Sequence, residues 1–405
     1  MKKVLQIKSV GVYGGSGMGE YIGREAIKQG WDSYIAYARN ILPTENKFVK
    51  ISNSLDMYEH ALESRLFDNS GFASRGTTRR LISQIKVINP DIIHLHNLHG
   101  YFLNVKILFD YLNKSGIPVV WTLHDCWPFT GHCSHFVSVG CEKWKTCCNH
   151  CPLTKDYPTS WFRDRSERNF EIKKNLFNEN KNIHFVTVSK WLEGITRESF
   201  FQNKDIRTIY NGVDIDVFRP LQPSNSHPYF TIIGVAANWG DHKGLSDYVA
   251  LSKLLKEDER IMLVGVSDKV AQGLPGNIIP IKRTNNIEEL VQLYNDADIV
   301  TSLSKAETFG MTVVEGYACG RPAIVYNNTA QPELITGTTG YIADDGNIQQ
   351  VYDCIQKFRV KTLEEKKHIE HSCRKLAEST YNKDTLYKDY LRLYDEVLGN
   401  HSKIK

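Results

Sequence analysis

The chain has 405 residues, 41% hydrophobic and 24% charged, with a formal net charge of +4 and a pI near 8.4. That length exceeds one ordinary hydrophobic core and predicts two domains. The composition excludes a disordered chain, the mild charge argues against a nucleic-acid partner, and no apolar stretch approaches a membrane span.

The start, Met1-Lys2-Lys3-Val4-Leu5-Gln6-Ile7, has too short and broken an apolar run for a secretory signal. It reads as a first strand over 3–9, and the expected location is the cytoplasm. Gly14-Gly15-Ser16-Gly17-Met18-Gly19 follows, ahead of a helix over 20–30. Glycines there let backbone approach a phosphate or sugar closely. A dinucleotide site would want an acid at the end of the second strand, 32–38. Ala36-Tyr37-Ala38-Arg39 stands there instead, which disfavours NAD. A helix over 80–88 and strands over 91–96, 117–123 and 183–188 complete the first array.

Trp121-Thr122-Leu123-His124-Asp125 puts His124 just past an apolar strand, at the edge where doubly wound sheets bind ligands. A lone histidine is more often bonded to backbone, but this position favours function. His96 and His99 stand at another strand end and are expected to border the same cleft.

Six of the nine cysteines fall between Cys126 and Cys151. Cys133, Cys141, Cys148 and Cys151 give Cys-x7-Cys-x6-Cys-x2-Cys, with Cys147 and His150 as substitutes. A closed structural zinc site, disulfides and free buried thiols are three readings of this insert. Basic residues gather at Arg75, Arg79, Arg80 and Lys86, and again at Arg163, Arg165, Arg168, Lys173 and Lys174. They read either as solvated helix faces or as contacts to an anionic membrane.

Three prolines between Arg219 and Pro228 predict an extended linker. The alternation restarts at 229–235 and continues through 261–266, 298–303 and 323–326. Domains are therefore expected over 1–219, with a Cys-rich insert at 126–152, and over 220–382. A last helix from 383 carries Leu386, Tyr390, Leu393, Tyr394 and Val397 at packing spacing. It is expected to return to the first domain as the segment 383–405.

After the first strand of the second array comes Asn238-Trp239-Gly240-Asp241-His242-Lys243-Gly244. Lys243 is placed to neutralise a diphosphate. Asp214-Ile215-Asp216 and Asp296-Ala297-Asp298 superficially match a metal motif but read as structural. After Ile299-Val300-Thr301-Ser302-Leu303, Glu307 and Glu315 bracket a helix start. There the N–H groups of Gly310, Met311 and Thr312 are predicted to cradle a phosphate. Two acids flanking such a cradle suit a ligand with hydroxyls on both sides of a diphosphate, such as a UDP- or GDP-sugar.

These stretches resemble the retaining glycosyltransferases of family 4, with the α/β GT-B fold of two Rossmann-like domains facing a cleft. The resemblance rests on Glu307 and Glu315 with Phe309-Gly310, on Tyr210-Asn211-Gly212-Val213-Asp214, and on Lys243-Gly244 and Gly14-Gly15. His124-Asp125-Cys126-Trp127-Pro128-Phe129-Thr130-Gly131 resembles a capsule and exopolysaccharide subgroup, including colanic-acid-type enzymes. It implies that Glu307 contacts donor-sugar hydroxyls, Glu315 the ribose, Lys243 the diphosphate, and that His124 lies beside the reacting sugar. With the paired aspartates read as structural, backbone dipole and Lys243 balance the diphosphate, so metal-independent catalysis is expected. The acceptor is expected to be a saccharide, which on a lipid carrier would bring peripheral membrane contact. Many relatives have arginine where Asn238 stands, so Lys305 or Arg283 is the expected second cation. A nucleotide-sugar 2-epimerase of the same architecture and a non-catalytic sugar- or metal-binding protein are the alternatives.

Overall fold

Val-, Ile- and Leu-rich runs without polar alternation are what a parallel strand covered on both faces requires. The protein, described by a computed structural model covering residues 1–10, 17–39, 44–222 and 229–404, builds two such sheets. The first contains β1 (Lys3–Val10), β2 (Asp32–Arg39), β3 (Lys47–Lys50), β4 (Ile92–Leu95), β5 (Val119–Leu123), β6 (Ile183–Thr187) and β7 (Asp205–Thr208). Its strand order is β3-β2-β1-β4-β5-β6-β7, all parallel, with Val4 beside Ile92 and Val119 beside Ile183. Every residue of β5 is buried, and Trp121 packs among Phe109, Phe177 and Phe185 with ring centroids 4.9–5.7 Å away.

The connecting helices are α1 (Met18–Lys28), α2 (Ser54–Phe67), α3 (Arg75–Ile88), α4 (Val105–Ser115), α5 (Ser166–Glu179) and α6 (Lys190–Glu198). Side-chain caps set several starts. Asn53 and Asp56 form a reciprocal capping box on α2, and Asn104 Oδ1 accepts the Ile107 N–H at 3.0 Å on α4.

The second sheet runs β10 (Ile278–Ile281), β9 (Glu259–Val264), β8 (Phe230–Val235), β11 (Ile299–Ser302), β12 (Ala323–Tyr326) and β13 (Gly340–Ala343) in spatial order, again parallel. Helices α7 (Leu245–Ser252), α8 (Asp268–Ala271), α9 (Ile287–Asn295), α10 (Met311–Ala318), α11 (Ile348–Arg359) and α12 (Leu363–Thr380) accompany it. Its core joins Ile232, Leu263, Ile299 and Ile324 to Tyr248 and Phe358.

The chain divides into Met1–Tyr210 with Leu386–Lys405, and Asn211–Thr385. Residues 211–219 thus fold with the second unit, earlier than the proline-rich boundary expected at Arg219. Arg374 explains this, because its Nη1 donates to the carbonyls of Ile215, Phe218 and Ala318 at 2.8–3.1 Å. Asn295 adds a bond to the Arg219 carbonyl at 3.0 Å. Helix α13 (Lys383–Ile404) buries Tyr390, Leu391, Tyr394 and Val397. Tyr394 OH meets His94 Nδ1 at 2.5 Å and Tyr390 OH accepts from Thr122 Oγ1 at 3.3 Å, which ties this helix to β4 and β5. Among the described residues no helix is long and apolar enough to cross a membrane.

Candidate active site

In the second unit the strand order reverses between β8 and β11, and loops leaving their carboxyl ends diverge there to open a crevice. Both loops carry predicted residues. Beyond β8, Asn238 is exposed, and a 3-10 turn over Asp241–Lys243 ends at Gly244 with φ +72°. A Cβ on Gly244 would stand 2.1 Å from the Leu303 carbonyl oxygen. Glycine therefore lets the turn press onto the end of β11, and the Lys305 N–H closes it on His242 O at 3.0 Å. Lys243 Nζ consequently reaches Glu307 Oε1 at 2.5 Å.

Glu307 is held from behind. Its N–H donates to Thr329 Oγ1 at 3.0 Å and its carbonyl accepts the Ala330 N–H at 3.2 Å. Gly310, at φ +109°, then turns the chain into α10. A Cβ on Gly316 would lie 2.5 Å from Val300 Cγ2, so α10 rests closely on β11. Val313 N–H is the first to bond inward, to Gly310 O at 3.1 Å, leaving those of Gly310, Met311 and Thr312 without a hydrogen-bond partner among the described residues. Unmatched N–H groups at a positive dipole end form a seat for an anion.

One turn further, half-buried Glu315 accepts Tyr294 OH at 2.9 Å through Oε2. Burial pushes its carboxyl up to about 7, with the Tyr294 bond opposing. Lys305 is committed elsewhere: it pairs with Asp247 at 2.5 Å and Asp345 at 3.5 Å and lies over the Tyr326 ring. Lys305 is therefore already engaged by two carboxylates. Arg283 is exposed. The paired aspartates are structural. Asp214 binds Lys383 and caps the Asp216 and Val217 N–H groups, Asp298 accepts the Thr231 N–H, and Asp296 accepts Gln292.

In the first unit the order reverses between β1 and β4. Gly14 and Gly15, after β1, lie outside the described residues. His96 and His124 meet there, Nδ1 to Nε2, at 3.2 Å. Gln6 donates through Nε2 to Gly19 O at 2.7 Å, so its Oε1 accepts His96 Nε2–H at 3.1 Å. His96 Nδ1 is then the acceptor and His124 Nε2 the donor. Burial and nearby Lys8 bring the His124 imidazole down to about 4, so it is neutral at physiological pH.

Beside it, Asp125 Oδ2 accepts His99 Nε2 at 2.6 Å and Asn97 Nδ2 at 3.1 Å, while Oδ1 accepts the Trp127 N–H at 2.9 Å. Burial alone would raise this carboxyl, but His99 and the Trp127 N–H hold it down to about 2. His99 Nδ1 reaches Tyr157 OH at 3.0 Å. Sequence reasoning missed Lys8, buried at the end of β1 and brought down to about 8 by that burial. A lysine inside Lys3–Val10, a strand otherwise buried, was the available signal.

Two family models lie end to end on this frame. Glycosyltransferase Family 4 matches residues 20–217 and Glycosyl transferases group 1 matches residues 218–378. The chain belongs to the family-4 glycosyltransferases. It is 22% identical over 401 residues, 95% of this chain and 97% of the relative, to WcaC of Escherichia coli (strain K12), named for colanic acid biosynthesis as a glycosyl transferase. Sucrose-phosphate synthase from Thermosynechococcus elongatus superposes with a TM-score of 0.74 at 14% identity, covering 99% of this chain and 100% of that one. Anabaena HepE in complex with UDP and glucose gives 0.68 at 16%, covering 98% and 100%. At such identities the superpositions show the fold alone, which is GT-B.

The cysteine insert of this glycosyltransferase carries the four thiols expected to hold zinc. Among the described residues no three His, Cys, Asp or Glu side chains are grouped to hold a metal ion, and all nine cysteines are free. Cys133 and Cys151 share a thiol hydrogen bond, whereas Cys148 is turned towards the Gly131 N–H. Cys133, Cys148 and Cys151 lie within electrostatic reach of one another, and Cys141 within reach of Cys148, so the quartet shares one neighbourhood. Other groups staple the insert. Buried Lys173 donates to Trp127 O at 2.7 Å and Thr130 O at 2.9 Å, and His132 pairs with Asp68 at 2.6 Å. Lys173 therefore leaves the solvated basic face to which its sequence neighbours assigned it.

Proposed function

We propose that this glycosyltransferase moves a hexosyl group, with retention at the anomeric carbon, from a UDP- or GDP-sugar to a saccharide acceptor on a lipid carrier. Cell-surface polysaccharide assembly is the proposed setting, consistent with the colanic acid role in the name of its Escherichia coli relative. The observation that carries the reading is the meeting of Lys243 and Glu307 beside the open N–H groups of α10.

In this reading the diphosphate sits on the Gly310, Met311 and Thr312 amides. Cleavage of the anomeric bond builds negative charge on the leaving phosphate, which the helix dipole and Lys243 stabilise. Glu307 then exchanges part of its lysine contact for donor-sugar hydroxyls and positions the ring. Glu315 takes the ribose. With the helix dipole and Lys243 balancing the diphosphate, no divalent ion is required. His124, neutral and oriented by His96, serves the acceptor side.

The test pairs purified enzyme with a panel of UDP- and GDP-sugars and saccharide acceptors, reading products by mass and anomeric configuration by NMR. Acceptor-dependent transfer with retention that survives a chelator supports the proposal. Inversion overturns the retaining assignment, and chelator-sensitive turnover overturns metal independence. Transfer to soluble saccharides but not to their lipid-linked forms overturns the lipid-linked acceptor.

A further inference from the structure

One face of the first unit carries apolar side chains that nothing covers among the described residues. On α2, Leu55, Tyr58 and Leu62 form a stripe at helical spacing and are 78%, 74% and 52% exposed. The stripe continues at Arg65, whose guanidinium lies over the Trp161 ring at 5.7 Å while its carbonyl accepts the Trp161 N–H at 2.6 Å. Trp161 and Phe162 are themselves 48% and 74% exposed. Contiguous exposed apolar groups of this size mark an interaction surface.

The charge around the stripe says what covers it. The fold brings together arginines that the sequence places in two clusters. Arg165 lies over the Phe67 ring and Arg168 over Phe72, each within 5.8 Å, and Arg75 and Arg165 are close enough to act electrostatically on Arg168. Among the described residues none of Arg65, Arg75, Arg163, Arg165 and Arg168 forms an ion pair with a carboxylate. Several neighbouring acids are engaged by other groups: Asp56 by Arg80, buried Asp68 by His132 and the Arg165 N–H, and exposed Asp164 by the Cys151 and Ser166 N–H groups. Guanidinium groups without carboxylate partners match phosphate oxygens. Half-exposed Trp and Tyr suit the boundary between headgroups and acyl chains.

We propose that this face seats the enzyme on an anionic phospholipid bilayer, with Trp161, Phe162 and the α2 stripe entering the headgroup boundary and the arginines binding lipid phosphates. Tyr157, beside this loop and bonded through His99 to Asp125, connects the seat to the His124 edge of the same sheet. A lipid-carried acceptor would then arrive at that edge. The proposal rests on the lipid-linked reading of the acceptor, but its test needs neither donor nor acceptor.

The full-length protein is sedimented with vesicles of phosphatidylethanolamine and phosphatidylglycerol, and with phosphatidylcholine alone. Binding confined to the anionic vesicles and weakened by salt is expected. Trp161→Ser with Phe162→Ser should lose about tenfold or more, and Arg163→Glu about fivefold or more. All three side chains are exposed, so unchanged melting curves are expected to confirm intact folds. Equal binding to both vesicle types, or binding that both variants retain, overturns the proposal. So does a wild type that ignores vesicles yet dimerises through this face, the double variant being monomeric. Transfer to a soluble saccharide should continue in the variants, which separates failure here from failure of the catalytic reading.

Discussion

Glu315→Gln tests the acid proposed for the ribose through stability before activity enters. Burial takes the Glu315 carboxyl from an ordinary 4.5 to about 7. At about 1.4 kcal/mol per pH unit this difference works out at about 3 kcal/mol, or about 2 once residual solvent contact is allowed for. The sign follows from the raised value. Stability associated with the neutral acid is fully present below the unfolded value and is lost as pH rises through the folded one. Glutamine stays neutral throughout. Wild type and variant should therefore unfold alike near about pH 4, and the variant should be the more stable by about 2–3 kcal/mol near about pH 8. For a unit the size of Asn211–Thr385 this corresponds to about 4–12 °C in melting temperature. Thermal unfolding across that pH range is the assay. UDP or GDP should stabilise the variant less than wild type, because the carboxylate proposed to accept ribose hydroxyls is gone. A stability difference that is absent or independent of pH would refute a strained, high-pKa Glu315.

Lys243→Ala and Glu307→Ala should each lose about tenfold or more in turnover, the worth of one charge-assisted contact in the transition state; near-wild-type rates in either folded variant would sink the anion-seat assignment. Gly244→Ala puts a Cβ against the Leu303 carbonyl at positive φ, costing about 1–3 kcal/mol and moving Lys243 away. Its signature is a lower melting temperature together with a raised donor KM, and an unchanged KM would show that the turn does not aim Lys243. Asp125 is held at about 2 against an ordinary 3.8, so its ionised form contributes stability above about pH 4 that is lost as pH falls towards 2. Asp125→Asn should destabilise by about 2 kcal/mol at neutral pH, with the gap closing in acid; denaturant melts at several pH values check this.

The sheets were legible to different depths. Every central strand, β1, β2, β4, β5, β6, β8, β9, β11 and β12, falls where apolar runs predicted it, because strands buried on both faces need such runs. The strands without an advance signal are β3, β7, β10 and β13, and these are the four sheet edges. Edge strands are short and half-exposed, so Lys47–Lys50 or Asp205–Thr208 looks like loop. The cysteine insert is harder to read for a related reason: spacing along the chain does not report how thiols are placed in space.

By itself the sequence determined the two βα arrays, the helix start at Gly310 and the acids on either side of it, all features written within a few residues of one another. Tertiary structure alone decided that Lys243 meets Glu307 across 64 residues, that Tyr294 loads Glu315, that Lys173 is buried, and that two arginine clusters share one face. Such meetings depend on which strands become neighbours and how closely glycines let loops approach. Those are properties of packing, which local periodicity does not encode.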